Sequence, residues 1–270
     1  MQKESCEAAI LRMVLNSYDK INYYPQMKRK MGTQSLCARD MQKKMRAKMG
    51  DECRMGYKLA VFDMDGTILD TLGDLANATN YALRTNALRE RSIDEVRRFV
   101  GNGIEKLIRR AVEEGTPEEV IQKVYRDFMP YYKEHCADLT KPYDGIVETM
   151  RKLKGMGILL AVVSNKADPA VQILCGQYFD GIFDVSVGEK PGVAKKPAPD
   201  MVNEVLEKLG IDRRDAVYIG DSDVDVATAK NSGLDEIIVK WGFRDEEYLK
   251  EHGAKRFVDR PDEIVKFFIP

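Results

Sequence analysis

Short, almost wholly apolar stretches alternate with amphipathic ones through most of this chain. Residues 57–62 (YKLAVF), 158–163 (ILLAVV), 216–219 (AVYI) and 236–239 (EIIV) have the pattern of strands buried on both sides. A weaker run of the same kind lies at 182–185. Between them the apolar positions step by three and four. Ile146, Val147, Met150 and Leu153 share one helical face behind Asp144, a residue type suited to capping it. Val202, Val205, Leu206 and Leu209 repeat the spacing. Buried strands alternating with amphipathic helices predict an α/β fold, a Rossmann-like parallel sheet with helices on both faces. Ligands of such sheets sit at the carboxyl ends of the strands.

Residues 71–141 break the alternation and read as all helix. Ser92 with Glu95, and Thr116 with Glu119, have capping-box spacing, the second with Pro117 at the first helical position. Apolar residues follow at helical intervals: Val96 and Phe99, then Ile104, Leu107, Ile108, Ala111 and Val112, then Val120, Ile121, Val124 and Phe128. Gly101-Asn102-Gly103 interrupts them with a tight turn. The block begins only nine residues after the first strand, so it is expected to be an inserted all-helical cap on a core built from 57–70 and 142–270.

Charge divides the chain differently. Residues 1–56 hold 12 Lys and Arg against 6 Asp and Glu, with 8 of the 13 Met, whereas the remainder holds 31 against 38. So sharp a shift marks a boundary. The first segment has no steady apolar period beyond a short cluster at 8–15, too short for a secretion signal. It is expected to be a poorly ordered basic, Met-rich extension with a helix around 5–18. Three readings of it stand: an arm for nucleic acid, a solvated tail, and a stretch upstream of a natural start at Met55. The acidic remainder argues against nucleic acid as substrate. No window approaches the ~18 apolar residues of a membrane span. Five Cys without a CxxC pair suit reduced thiols in the cytoplasm. Only two His, His135 and His252, leave no material for a site built on several histidines.

Acidic residues cluster where the sheet would place a ligand. FDMDGT ends the first strand, with Asp63 and Asp65 two residues apart, and IGDSDVD follows the 216–219 strand with Asp221, Asp223 and Asp225. Carboxylates crowded at a buried strand end repel one another and lose hydration, and an oxygen-only set of this kind suits Mg²⁺. Ser164 and Asn165 end the strand between them, and KKPAPD (195–200) supplies a lysine. Two carboxylate clusters, a hydroxyl and a lysine around one point suit a phosphoryl group.

DMDGT, VVSN, KKPAPD and GDSDVD, in that order, resemble the four motifs of the haloacid dehalogenase superfamily of phosphatases, and the helical insert resembles its phosphoglycolate phosphatase-like branch. The likeness covers about residues 57–270. It implies that Asp63 is a nucleophile forming an aspartyl-phosphate, and that Asp65 is the general acid and then base. It further implies that Asp63, the Asp65 carbonyl and Asp221 hold Mg²⁺, with Asp225 orienting the cluster and Thr67 supporting the first loop. Ser164 and Asn165 would bind phosphate and Lys196 would neutralise charge, while Lys195 and Asp223 face solvent. Asn102 is a candidate substrate contact. Cys175 is expected to be structural, and Trp241-Gly242-Phe243 to pack near the rim.

The resemblance leaves three functions open. The first is hydrolysis of a small phosphorylated metabolite such as phosphoglycolate. The second is a sugar phosphomutase of the β-phosphoglucomutase kind, or pyrophosphate hydrolysis by the same machinery. The third is an inactive binding protein. Thr67, and Gly220 before Asp221, depart from the mutase pattern and favour hydrolysis. Oligomeric state is not legible.

Overall fold

The computed structural model describes residues 56–269; apart from Gly56, the basic extension lies outside them, and with it the helix expected at 5–18. Six strands form one parallel sheet in the order β5-β4-β1-β6-β7-β8. They are β1 (Leu59–Phe62), β4 (Leu159–Ala167), β5 (Val185–Glu189), β6 (Ala216–Gly220), β7 (Asp235–Val239) and the two-residue β8 (Phe257–Val258). β1 lies in the middle: the chain leaves it for β4 and β5 on one side, then crosses to β6, β7 and β8 on the other. Such a reversal opens a crevice at the carboxyl ends of the central strands.

Side chains alternate across the sheet and so divide between two cores. Ala60 and Phe62 face one core with Leu160, Val162, Val217 and Ile219, covered by α5 (Ile146–Gly155) and α6 (Asp168–Tyr178). Leu59 and Val61 face the other with Ala161, Val163 and Tyr218, covered by α7 (Asp200–Leu209) and α8 (Asp223–Ser232). A short helix, α9 (Glu246–Glu251), completes the carboxyl-terminal part.

Four helices lie between β2 (Leu69–Asp70) and β3 (Lys141–Pro142), two short strands that pair antiparallel. They are α1 (Leu72–Thr85), α2 (Ile93–Phe99), α3 (Ile104–Ala111) and α4 (Glu118–His135). They bury their apolar stripes on one another, with Leu83, Val96, Ile108, Val124 and Phe128 inaccessible to solvent. The Asp74 carboxylate accepts hydrogen bonds from the Leu139 and Thr140 amides, closing the block where it returns to the sheet.

Three local expectations are corrected. Thr116 does not cap α4: its hydroxyl donates to the Glu113 carbonyl, Pro117 takes the cap position and Glu118 is the first helical residue. Asp144 does not cap α5, because Gly145 stands there in the left-handed conformation (φ 82°). The strand expected at 182–185 forms three residues later, as β5, where the chain lies beside β4. Ser92 does cap α2 in a full capping box with Glu95. Among the described residues, no helix is long and apolar enough to cross a membrane.

Candidate active site

The carboxyl ends of β1, β4 and β6 bring the separate acidic, hydroxyl and lysine motifs together. Asp63 follows β1 and is fixed by its amide, which donates to the Ile219 carbonyl of β6 (2.8 Å). Lys196, reaching in from the loop before α7, places its Nζ 2.8 Å from Asp63 Oδ1 and 2.8 Å from Asp225 Oδ1. All three residues are buried. Asp63 Oδ1 also accepts from the Met64 amide (2.7 Å).

Asp225 lies in the first turn of α8 and is fully inaccessible to solvent. Its Oδ2 accepts from the Asp221 amide and from the amide and hydroxyl of Ser222, while Oδ1 accepts from Lys196 and the Tyr218 phenol. Both oxygens are thus engaged, which makes Asp225 a brace between β6 and Lys196.

Asp221 is approached closely by the backbone of two glycines. Its Oδ1 accepts from the Thr67 hydroxyl (3.1 Å) and its Oδ2 from the Phe243 amide (2.7 Å). A Cβ on Gly66, whose φ is +86°, would lie 2.5 Å from Asp221 Oδ2, and one on Gly242 would collide with the Asp221 side chain.

Oxygens of Asp63, Asp221 and Asp225 lie within 4.8 Å of one another. Three carboxylates so close face one ammonium, Lys196, leaving two uncompensated charges when all are ionised. Burial, then the charge of Asp225, pushes the Asp221 carboxyl up to about 7. Asp63 is raised well above the carboxylate range by burial, by Asp225 and by Asp221, with Lys196 opposing. A deficit of two charges walled by oxygen donors fits a divalent cation. Asp63 and Asp221 are the side chains suited to hold it, since Asp225 is already saturated.

Asp65 stands apart from this cluster and pairs through Oδ1 with Lys166 Nζ at 2.8 Å. Lys166 also donates to the Tyr132 phenol on α4 (2.6 Å) and is almost wholly buried. Burial works against its charge, but Asp65 and Tyr132 outweigh it and hold the pKa above the ordinary lysine value. Lys166 lies one residue beyond the VVSN motif. The available signal was a lysine directly beyond a buried strand end, where an ammonium without a partner is costly.

A cavity of about 40 Å³ joins these groups, lined by Asp63, Asp65, Ser164, Lys166 and Lys196, with Val100, Gly101, Gly103 and Leu107 from the helical block. Ser164 and Asn165 both line it, and the Asn165 carboxamide exchanges hydrogen bonds with the Lys196 backbone. Asn102 is brought near but not in: its Oδ1 accepts from Arg110, and the glycines on either side of it reach the cavity instead. Lys195 is exposed and pairs with Glu189. Asp223 is not simply solvent-facing, since Arg244 Nε lies 3.5 Å from it. Cys175 is buried in the sheet core.

The 241–244 loop does more than pack. Trp241 donates to the Thr67 carbonyl, and the Phe243 ring enters the helical block's core while its amide holds Asp221. Arg244 donates to the carbonyls of Arg97 and Val100 at the end of α2, and Arg97 donates back to Gly242. A three-residue apolar motif gave no sign of these polar contacts.

The chain has relatives in sequence and in fold. A phosphoglycolate phosphatase from Aquifex aeolicus (strain VF5) is 32% identical over 210 residues, 77% of this chain and 95% of that protein. An N-acetylmuramic acid 6-phosphate phosphatase from Pseudomonas aeruginosa is 30% identical over 78% of this chain and 95% of that one. A solved structure from Lactobacillus delbrueckii subsp. bulgaricus, described provisionally as a phosphoglycolate phosphatase, superposes with a TM-score of 0.77 at 39% identity. It covers 80% of this chain and 99% of its own. The sequence profile of haloacid dehalogenase-like hydrolases matches residues 60–239, and the chain belongs to that family.

Proposed function

We propose that this protein is a Mg²⁺-dependent phosphatase that hydrolyses a small phosphate monoester through an aspartyl-phosphate on Asp63. The observation that carries the reading is the shared ammonium of Lys196, which bridges Asp63 and Asp225 beside Asp221 at the mouth of the sheet. Lys196 and the Met64 amide both engage Asp63 Oδ1, which fixes the rotamer and makes Oδ2 the attacking atom. The Ser164 hydroxyl and the Asn165 amide would hold phosphate oxygens, and Lys196 would neutralise charge on both carboxylate and phosphate. Asp65 would protonate the leaving oxygen and then activate water. Mg²⁺, held by Asp63, Asp221 and the Asp65 carbonyl, would offset the charge of the phosphate oxygens as they approach the carboxylates.

The helical insert, 71–141, acts as a cap that closes over the leaving group and excludes water. The names of the relatives favour phosphoglycolate. The buried free thiols Cys136 and Cys175 fit a reducing, cytoplasmic location.

The test is phosphate release from phosphoglycolate, N-acetylmuramic acid 6-phosphate, pyrophosphate and β-glucose 1-phosphate, with Mg²⁺ and with a chelator. Mg²⁺-dependent release peaking on phosphoglycolate is expected. Conversion of β-glucose 1-phosphate to its 6-phosphate isomer without release would instead establish a mutase. Asp63→Asn is expected to abolish turnover, because an amide does not form the acyl phosphate. Activity within about tenfold of wild type would exclude the covalent route.

A further inference from the structure

Lys166 belongs to none of the four motifs, yet it links the helical block to Asp65. Its position comes from an irregularity in β4. Val163 pairs with Val187 of β5 and Ala167 with Glu189, so β4 carries extra residues across that interval. A bulge of this kind bends a strand and re-aims the side chains on it. Gly188 makes the bend possible, since a Cβ there would lie 2.5 Å from Asp168 Cα and 2.7 Å from the Lys166 carbonyl. The aim is completed from the other side. Tyr132 is buried on α4 and stacked on Phe128 (5.2 Å between centroids), and its oxygen receives the Lys166 ammonium at 2.6 Å.

We propose that Lys166, held by the Tyr132 phenol when the helical block is docked, is a positioning residue that fixes the Asp65 carboxyl for proton transfer to the leaving oxygen. The inference rests on the phosphatase reading. In the step concerned, the bond from Asp63 Oδ2 to phosphorus forms as the bond from phosphorus to the leaving oxygen breaks. The electron pair goes to that oxygen and the proton on Asp65 follows it. Lys166 exchanges no proton. It holds the Asp65 oxygen at one place, and Tyr132 makes that place depend on the block, so the acid is in register only beneath a closed roof. Geometry of this kind matters steeply, because a displacement of about 1 Å costs about 10²-fold in rate.

The experiment compares kcat/KM for an alkyl phosphate, such as phosphoglycolate, with that for p-nitrophenyl phosphate. This ratio covers every step up to alcohol departure. An alkoxide must be protonated as it leaves, whereas p-nitrophenolate departs without help. Lys166→Met is expected to lose about 10²-fold on the alkyl ester and less than about fivefold on the nitrophenyl ester. Tyr132→Phe, which removes one oxygen and keeps the ring, is expected to show the same bias at smaller size, with its melting temperature near that of wild type. Lys166→Arg is expected to recover part of the alkyl-ester activity. Equal losses on the two esters, in Lys166→Met and in Tyr132→Phe, would overturn the positioning role while leaving the phosphatase reading intact. Wild-type protein inert toward both esters would overturn that reading and this inference with it.

Discussion

Asp225 accepts hydrogen bonds on both carboxylate oxygens and touches no solvent, yet it stands one residue beyond direct reach of the cavity lining. Its charge matters more than its shape, since it pairs with Lys196, which pairs in turn with Asp63. Asp225→Asn keeps the shape and removes the charge, and it sets an amide group against an ammonium. Breaking a buried pair by one partner costs about 3–5 kcal/mol. Asp225→Asn should therefore lower the urea midpoint by an equivalent amount and reduce turnover as Lys196 shifts. A variant with wild-type stability would mean that water or another group replaces the carboxylate. The acidic clusters were legible because carboxylates are costly at a buried strand end, whereas the family resemblance, not burial, singled out Lys196 from Lys195 and Asp225 from Asp223; the fold draws Asp63, Lys196, Asp221 and Asp225 together. Lys166 escaped because its reason for being buried lies on α4, 34 residues away at Tyr132, where a phenol among apolar residues reads as packing.

Elements were easier to name than to bound. The strands were visible from their apolar runs because the sheet is covered on both faces, and the helices from their three- and four-residue steps. Their ends depend on contacts that no local pattern contains. At α2, Ser92 accepts from the Glu95 amide and the Glu95 carboxylate accepts from the Ser92 amide, so spacing and outcome agree. At α4 the same spacing fails, because the amide and the hydroxyl of Thr116 both turn back to the Glu113 carbonyl and neither is left for Glu119. The two sites make a paired prediction. Ser92→Ala should cost about 1 kcal/mol in urea unfolding, whereas Thr116→Ala should cost only a few tenths. Equal costs would mean that Thr116 does cap α4 in solution. The β4 bulge was equally hidden, since Ser164, Asn165 and Lys166 continue the strand in sequence while stepping out of register with β5.

At the scale of the molecule, the carboxylate cluster ties stability to protons and to metal. The Asp221 carboxyl, pushed up to about 7 by burial and by Asp225, compares with about 3.9 in an unfolded chain. A carboxyl that binds its proton more tightly when folded stabilises the fold below the lower value. That contribution is lost as pH rises from about 4 to about 7. Without metal, the protein should therefore grow less stable across that window and level off above it. A divalent cation binds the ionised form and so competes with the proton, and its contribution grows as RT ln(1 + [L]/Kd), about 2.7 kcal/mol at a hundredfold excess over Kd. Adding Mg²⁺ should raise the melting temperature clearly at pH 8 and little at pH 5.5, and Asp221→Asn should remove the difference. The effect should extend beyond the strand ends, because the Phe243 amide that holds Asp221 belongs to a residue whose ring lies in the helical block's core. Amide exchange in α2, clamped by Arg244 at Arg97 and Val100, should slow when Mg²⁺ is added at pH 8. A melting temperature that Mg²⁺ raises equally at both pH values would place the cation away from Asp221. A cation that raises it only at pH 8 while leaving α2 exchange unchanged would confine the coupling to the core.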